Sequence, residues 1–339
     1  VRLIEPLVEA PVSVEQIPRV ALLTTVYNEA GSIHSFLRSI DAQEFRPSQV
    51  VIVDAGSDDG TVEALREWAE VSDLEVQVIV SHGASISRGR NIALAECEAS
   101  WVAVTDAGNS LDPTWLKELA NGTAPDVDVV AGFFEPLPGS FKQSVIGVTI
   151  TPLLAEIDPK SFLPSSRSVI FRTSILKSVG GYPEWLDYCE DLVLDLMLKK
   201  VGARFEFAPG AIARWDARGT FSAYFKQYFR YARGDGKAGL WRRRHAARYT
   251  AYAVGAALVA LSVAVSVYWL LLLAVLGSIY SRKFAARVFA RRGVFGARWM
   301  LALALVPVVV AIGDVAKMCG YPIGLAHAKA HRSQWSAYA

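Results

Sequence analysis

Val51-Ile52-Val53-Asp54-Ala55-Gly56-Ser57-Asp58-Asp59-Gly60-Thr61 changes character at its centre. Three β-branched residues run up to an aspartate, and two glycines then bracket a short polar stretch. The pattern reads as a buried strand, a tight turn and a helix opening near Thr61, which is a plausible cap. Asp54 is thereby held at a strand tip, where a ligand can lie. It serves equally well as a cap for the turn or for the next helix.

On either side of this stretch, the apolar runs predict strands over 20–26, 49–54, 76–80 and 101–105. Helices are predicted from the turn after Glu29 to about Ala42, over 61–69 and near 89–95. Strands alternating with helices at this spacing imply a mostly parallel α/β sheet covered on both faces. Further on, 128–134 and 168–171 read as strands, 135–164 as less regular, and 174–179 as a helix. The Gly180-Gly181-Tyr182-Pro183 turn precedes a helix with Glu190 and Asp191 near its start. No internal repeat is visible.

Charge divides the chain in two. From Gly236 to the end there are 14 Lys and Arg and one acid, Asp314, whereas the preceding part holds 21 basic and 32 acidic residues. The basic part is also the apolar part. Residues 249–280 carry no charge, and about twenty apolar residues suffice to cross a bilayer. Arg242, Arg243, Arg244 and Arg248 precede the run, and Arg282, Lys283, Arg287, Arg291 and Arg292 come after it. The run can be one long tilted helix or two short ones turning near 265–268, and if positive flanks stay cytosolic it is the hairpin. A second run, 299–312, is broken by Pro307, ended by Gly313-Asp314 and short for a crossing, so it reads as a third span or a shallow helix. Basic clusters flanking apolar runs point to a membrane and away from nucleic acid. The scattered Cys97, Cys189 and Cys319 fit no metal or disulfide pattern and a reducing cytosolic setting. The first residues, with Glu5, Glu9 and Glu15, read as a loose leader without a signal peptide.

In parallel sheets ligands bind beyond the carboxyl ends of strands, which singles out Asn28-Glu29, Asp54 and Asp106. Asp106, in Thr105-Asp106-Ala107-Gly108, can hold a divalent cation that binds phosphates. Arg90, in Ser87-Arg88-Gly89-Arg90-Asn91, can meet a diphosphate at a helix start, or can stand solvated there. Glu190 and Asp191 suit a helix N-terminus as caps, and one of them can act as general base. Phe221, Tyr224, Phe225, Tyr228 and Phe229 fall at helical spacings and predict an interfacial helix near 221–232. Gln227 and Arg230 are its candidates for facing a site.

In order, the Val26-Tyr27-Asn28-Glu29 turn, 53–61, Arg90-Asn91, 105–108 with Pro113-Thr114-Trp115-Leu116, Gly180-Gly181-Tyr182 and Glu190-Asp191 resemble the family 2 inverting glycosyltransferases of GT-A fold. The resemblance covers about 19–240. It implies that Glu29 and Asp54 contact the nucleotide, with Asn28, Arg90 and Asn91 in the same donor site. It implies too that Asp106 ligates Mg²⁺ or Mn²⁺ and that Asp191 is the general base, with Glu190 beside it. Gln227-Tyr228-Phe229-Arg230-Tyr231 is similar to the Q-x-x-R-W signature of membrane-embedded synthases, which implies acceptor or diphosphate contacts for Gln227 and Arg230. Two positions depart from the pattern: Gly108 stands for the second aspartate of D-x-D, and Tyr231 for the tryptophan.

The expectation is therefore a leader over 1–18, a GT-A domain over 19–240 and transmembrane or interfacial helices over 241–339. The enzyme is expected at the cytoplasmic membrane with its catalytic domain on the cytosolic side. It would move a sugar from a nucleotide-sugar donor to a lipid-linked or saccharide acceptor. The competing readings are a processive polysaccharide synthase, told apart by product length, and an inactive nucleotide-sugar-binding membrane protein, favoured by Gly108.

Overall fold

A computed structural model describes residues 18–328. The leader expected over 1–18 (apart from its last residue) and the tail from 329 lie outside the described residues. The chain opens with β1 (Val20–Val26), α1 (Ile33–Asp41), β2 (Gln49–Asp54), α2 (Thr61–Val71), β3 (Val76–Val80), α3 (Ile86–Glu96) and β4 (Trp101–Val104). Next come β5 (Asn109–Leu111), α4 (Trp115–Asn121), β6 (Val129–Pro136), α5 (Phe141–Ile150), β7 (Val169–Arg172) and α6 (Thr173–Ser178). It continues through α7 (Glu190–Lys200), β8 (Phe205–Trp215) and α8 (Phe221–Lys237), and ends in α9 (Arg242–Ala264), α10 (Trp269–Ala290) and α11 (Trp299–His327).

The strands form one sheet in the order β3-β2-β1-β4-β7-β6-β8-β5. β1 pairs parallel with β2 and β4, β2 with β3, and β6 with β8. β7 runs antiparallel to β4 and β6, and β5 antiparallel to β8. The period-two pattern of β1, β2 and β4 divides them between two cores. Leu22, Ile52 and Ala103 meet Ile33, Phe36 and Ile40 of α1, with Leu65 of α2 and Leu116 of α4. Leu23, Val53 and Val104 face the other way, towards Leu94 of α3 and Val193, Leu194 and Leu198 of α7.

Three expectations are corrected. Residues 135–164 are not irregular, because α5 lies within them. Ser140 and Gln143 form a capping box at its start, and Val145, Ile146 and Val148 pack against Val306, Val309 and Val310 of α11. That partner is remote in sequence, so no local pattern announced the helix. The second apolar run does not stop at Gly313-Asp314, since α11 continues to His327 with Pro307 and Pro322 inside it. Asp314 is buried there and paired with Arg248 at 2.7 Å, which makes a carboxylate tolerable inside a helix interior. Gly60, with φ 96°, precedes the first residue of α2, and Thr61 instead binds Asp59 Oδ1 through its amide. The hairpin turn falls where expected, between Ala264 and Trp269.

Candidate active site

The loops after β1 and β2 lock together. Asn28, at a left-handed φ of 54°, donates its amide to Ser57 Oγ (2.8 Å) and accepts from the Asp58 amide at Oδ1 (3.1 Å). The Glu29 amide donates to Thr61 Oγ1 at 2.9 Å and that of Ala30 to Asp59 Oδ2 at 3.0 Å. Asp54 is fully buried and accepts from the amides of Gly56 (2.7 Å) and Ser57 (2.8 Å) and from Ser57 Oγ (2.6 Å). Gly56, at φ 97°, lies so close to His82 that a Cβ would fall 2.5 Å from its Nδ1. Asn28 and Asp54 thus shape the turn with the side-chain atoms expected to meet a ligand. Glu29 does face the open cleft beyond the strand ends, which measures about 1160 Å³.

At the centre of the cleft lies an ion cluster. Arg90 is 1% exposed, so it is no solvated surface arginine. It donates to Glu190 Oε1 at 2.9 Å and to Asp106 Oδ1 at 2.7 Å, and its guanidinium sits 4.9 Å from the Tyr182 ring centroid. Burial works against its charge, but the pull of Tyr182, Asp106 and Glu190 wins and holds it above the ordinary arginine value. Burial, and then the neighbouring Asp191, push the Glu190 carboxyl up to about 7 against the pull of Arg90. Asp191 is half-buried and lines the cleft. Its Oδ1 accepts from the Leu192 amide at 2.8 Å, and Ser165 Oγ lies 3.5 Å from its Oδ2. The two adjacent acids therefore divide the work: Glu190 holds Arg90, and Asp191 faces the open space. Cys189, just before them, is kept a neutral thiol, first by burial and then by Asp235.

Two expected residues stand elsewhere. Asn91 stitches α3 to the double-glycine turn, donating to Tyr182 O (2.8 Å) and accepting from the Tyr182 amide (2.7 Å), and it does not line the cleft. Arg230 is exposed outside the cleft, 5.8 Å from the Tyr188 ring. Gln227 lines the cleft and donates to Tyr231 Oη at 2.9 Å. α8 is not an aromatic anchor lying free: Tyr224 is buried against α11, and Tyr228 and Tyr231 turn into the cleft.

Arg167 is a site residue that the sequence pattern does not announce. Its Nε lies 3.8 Å from Asp106 Oδ2, and its guanidinium is 5.2 Å from the Trp215 ring and 3.5 Å from Tyr231 Oη. The reason is topological. β7 is antiparallel to β4, with Val169 beside Val104, so the residues before β7 reach the same sheet edge as the residues after β4. A search confined to the carboxyl end of each strand misses them. The usable signal was the polar 165–168 stretch directly before an apolar strand.

Residues 22–145 match the model of Glycosyl transferase family 2. The chain carries a family 2 glycosyltransferase domain. It is a transferase of sugar groups. The glycosyltransferase AglE of Haloferax volcanii is 26% identical over 226 residues, 65% of this chain and 73% of AglE. The probable glycosyltransferase YdaM of Bacillus subtilis is 22% identical over 246 residues, 66% of this chain but only 56% of YdaM. Among solved structures, the mannosyltransferase PcManGT from Pyrobaculum calidifontis, in complex with GDP-Man and Mn²⁺, shares the GT-A fold. It aligns at a TM-score of 0.54 over 94% of this chain and 88% of its own, with 19% identity.

Proposed function

We propose that this glycosyltransferase works at a membrane, moving a sugar from a nucleoside-diphosphate sugar to a lipid-linked or saccharide acceptor with inversion. One observation carries the reading. The same cleft holds an open carboxylate at a helix start, Asp191, and a second carboxylate, Asp106, gripped by Arg90 and Arg167. The acceptor hydroxyl gives its proton to Asp191 as its oxygen bonds the anomeric carbon. The bond from that carbon to the diphosphate breaks on the opposite face, so the configuration inverts.

Among the described residues no three His, Cys, Asp or Glu side chains are grouped so that they could hold a metal ion by themselves. The donor set for Mg²⁺ or Mn²⁺ is then Asp106 alone, which fits a hard cation that takes its other oxygens from diphosphate and water. Such an ion supplies charge neutralisation for the leaving group. Arg90 and Arg167 orient the Asp106 carboxylate, and Glu190 fixes Arg90. Glu29, at the cleft wall, is suited to the nucleotide. Its carboxylate oxygens lie 3.7 and 3.8 Å from where a Cβ at Gly108 would stand, an ordinary contact distance, so Glu29 and Gly108 adjoin each other at the cleft.

Membrane association is supported by three helices long and apolar enough to cross a bilayer. Arg242, Arg243 and Arg244 begin α9, while Arg282 and Lys283 lie in the last turns of α10, which favours a cytosolic catalytic domain. The test is Asp191→Asn. Transfer is expected to fall by about 10²–10⁴ with nucleotide affinity unchanged. Activity within about twofold of wild type would contradict the assignment of the base.

A further inference from the structure

The chain enters α7 through a residue in an unusual conformation. Cys189, directly before Glu190, stands at φ 64° and ψ 20°, a left-handed geometry that a residue with a Cβ adopts at a cost. Its carbonyl accepts the first helical bond of α7, from the Val193 amide at 3.1 Å. The backbone angles at Cys189 therefore set the direction in which α7 leaves the loop, and with it the place of Asp191. Such a conformation persists only where the surroundings hold it.

The hold comes from α8. The Cys189 thiol is shared between Tyr231 O at 3.2 Å and Asp235 Oδ1 at 3.4 Å, one turn apart on that helix. Beside it, Lys237 Nζ donates to Trp185 O at 2.5 Å, and Arg233 Nη2 lies 3.6 Å from Asp187 Oδ2. Gly234 lets the two backbones meet, since a Cβ there would fall 2.5 Å from Tyr188 O. Asp235 is fixed in its turn. Arg248 Nη1 lies 3.1 Å from His245 Nδ1, and a guanidinium only donates, so Nδ1 is the acceptor. The ring hydrogen is then on Nε2, which donates to Asp235 Oδ2 at 3.3 Å. His245 is buried and stacks on Tyr321 of α11, with ring centroids 3.7 Å apart. Each oxygen of Asp235 thus has its own donor, one at the start of α7 and one on α9.

We propose that Asp235 is a positioning residue for the transfer reaction, fixing the start of α7 through the Cys189 thiol and so aiming the Asp191 carboxylate. The proposal rests on the reading of Asp191 as general base. A thiol is a weak donor, and an ionised acceptor strengthens its bond. Burial and the Asp235 charge keep that thiol protonated, so Cys189 acts as a tether and takes no proton itself. A displacement of about 1 Å at a reacting group can cost about a hundredfold in rate, which gives so small a tether its leverage.

The experiment follows nucleoside diphosphate release by the full chain in detergent, with UDP-GlcNAc and GDP-Man as donors and water as acceptor. Asp235→Ala and Cys189→Ala are each expected to lower kcat about tenfold, with KM and nucleotide affinity within about twofold of wild type. Cys189→Ala removes no charge, which guards against a folding defect in Asp235→Ala. Cys189→Ser keeps a donor and should stay within about threefold of wild type. Because Asp235 acts through the base, adding Asp235→Ala to Asp191→Asn should cost less than about twofold more. A further loss of about tenfold in that background overturns the proposal, as does Asp235→Ala within about twofold of wild type. A harmless Cys189→Ala beside a harmful Asp235→Ala also overturns it, since Asp235 then acts directly. If Asp191→Asn alone leaves kcat unchanged, the base reading fails and the proposal falls with it. A crystal structure of Cys189→Ala gives the same answer without turnover. The Asp191 carboxylate is expected to move by about 1 Å, and an unmoved carboxylate overturns the proposal.

Discussion

Helices α9 and α10 differ from α11 in what covers them. In the most apolar stretch of α9 and of α10 only 6% of residues are buried, against 39% in the most apolar stretch of 292–327. The covered segment is also the more apolar, with mean hydropathy 2.2 against 1.3 for each of the other two. Apolarity alone therefore does not tell an exposed helix from one built into the enzyme. Small and polar residues do. Gly255 of α9 has nothing nearer than Leu273 at 3.7 Å, and Gly277 of α10 has nothing within 4 Å. On α11, Gly313 meets Tyr224 and Gly320 and Gly324 meet the α8 backbone, while Asp314 gathers Arg248, Tyr280 and Lys317. The hairpin exposes its surface; α11 forms a wall of the site.

From this contrast the greatest loss is expected of Asp314→Asn. It leaves Arg248 and Lys317 without their carboxylate, and a loss of about 3–5 kcal/mol is expected in thermal or denaturant unfolding. A loss below about 1 kcal/mol would mean that the polar group on α11 is incidental to its docking. Next comes Gly320→Ala, which forces a Cβ towards Phe229 O and should cost about 1–3 kcal/mol. Its counterpart Gly277→Ala, with open space around it, should be neutral or stabilising by up to about 1 kcal/mol. Equal effects at the two glycines would erase the distinction between the helices.

The mildest change sets two buried carboxylates side by side. Asp314 has partners on both oxygens, whereas Glu190 has one arginine and an acidic neighbour. The Glu190 carboxyl titrates near 7 when folded, raised from 4.5, so the folded state holds its proton more tightly than the unfolded one. Stability from this group is full below about pH 4.5 and is lost as pH rises towards 7. Glu190→Gln should flatten that decline by a few degrees of Tm between pH 5 and 7, and an unchanged slope would contradict the burial assigned to Glu190.

Much of the fold was legible because β1, β2 and β3 are locally unambiguous apolar runs, found where the pattern set them. The turn at 265–268 was legible too, since basic residues on both flanks of an overlong charge-free run favour a hairpin over one tilted helix. β8 and α5 were not. β8 spans Phe205–Trp215 with a burial pattern that does not alternate cleanly, and α5 owes its burial to α11, more than 150 residues later. In the site, Glu29, Asp106, Glu190 and Asp191 reach the cleft because strand ends and helix starts are readable from sequence, and Gln227 reaches it from within α8. Asp54 and Asn91 have the expected residue types at the expected places, but hydrogen bonds within the fold occupy their side chains. Arg167, Tyr231 and Lys317 come from the segment before an antiparallel strand, a helix face and an apolar helix, and only tertiary packing brings them to one cleft.

If the cleft is a nucleotide-sugar site organised on Asp106, nucleotide binding must depend on that carboxylate. The decisive experiment is isothermal titration of the detergent-purified chain with UDP and GDP, with and without Mn²⁺, in wild type and Asp106→Asn. One nucleotide is expected to bind, more tightly with Mn²⁺, and Asp106→Asn should abolish the metal-dependent gain. Binding of neither nucleotide under any metal condition would contradict the assignment of the cleft.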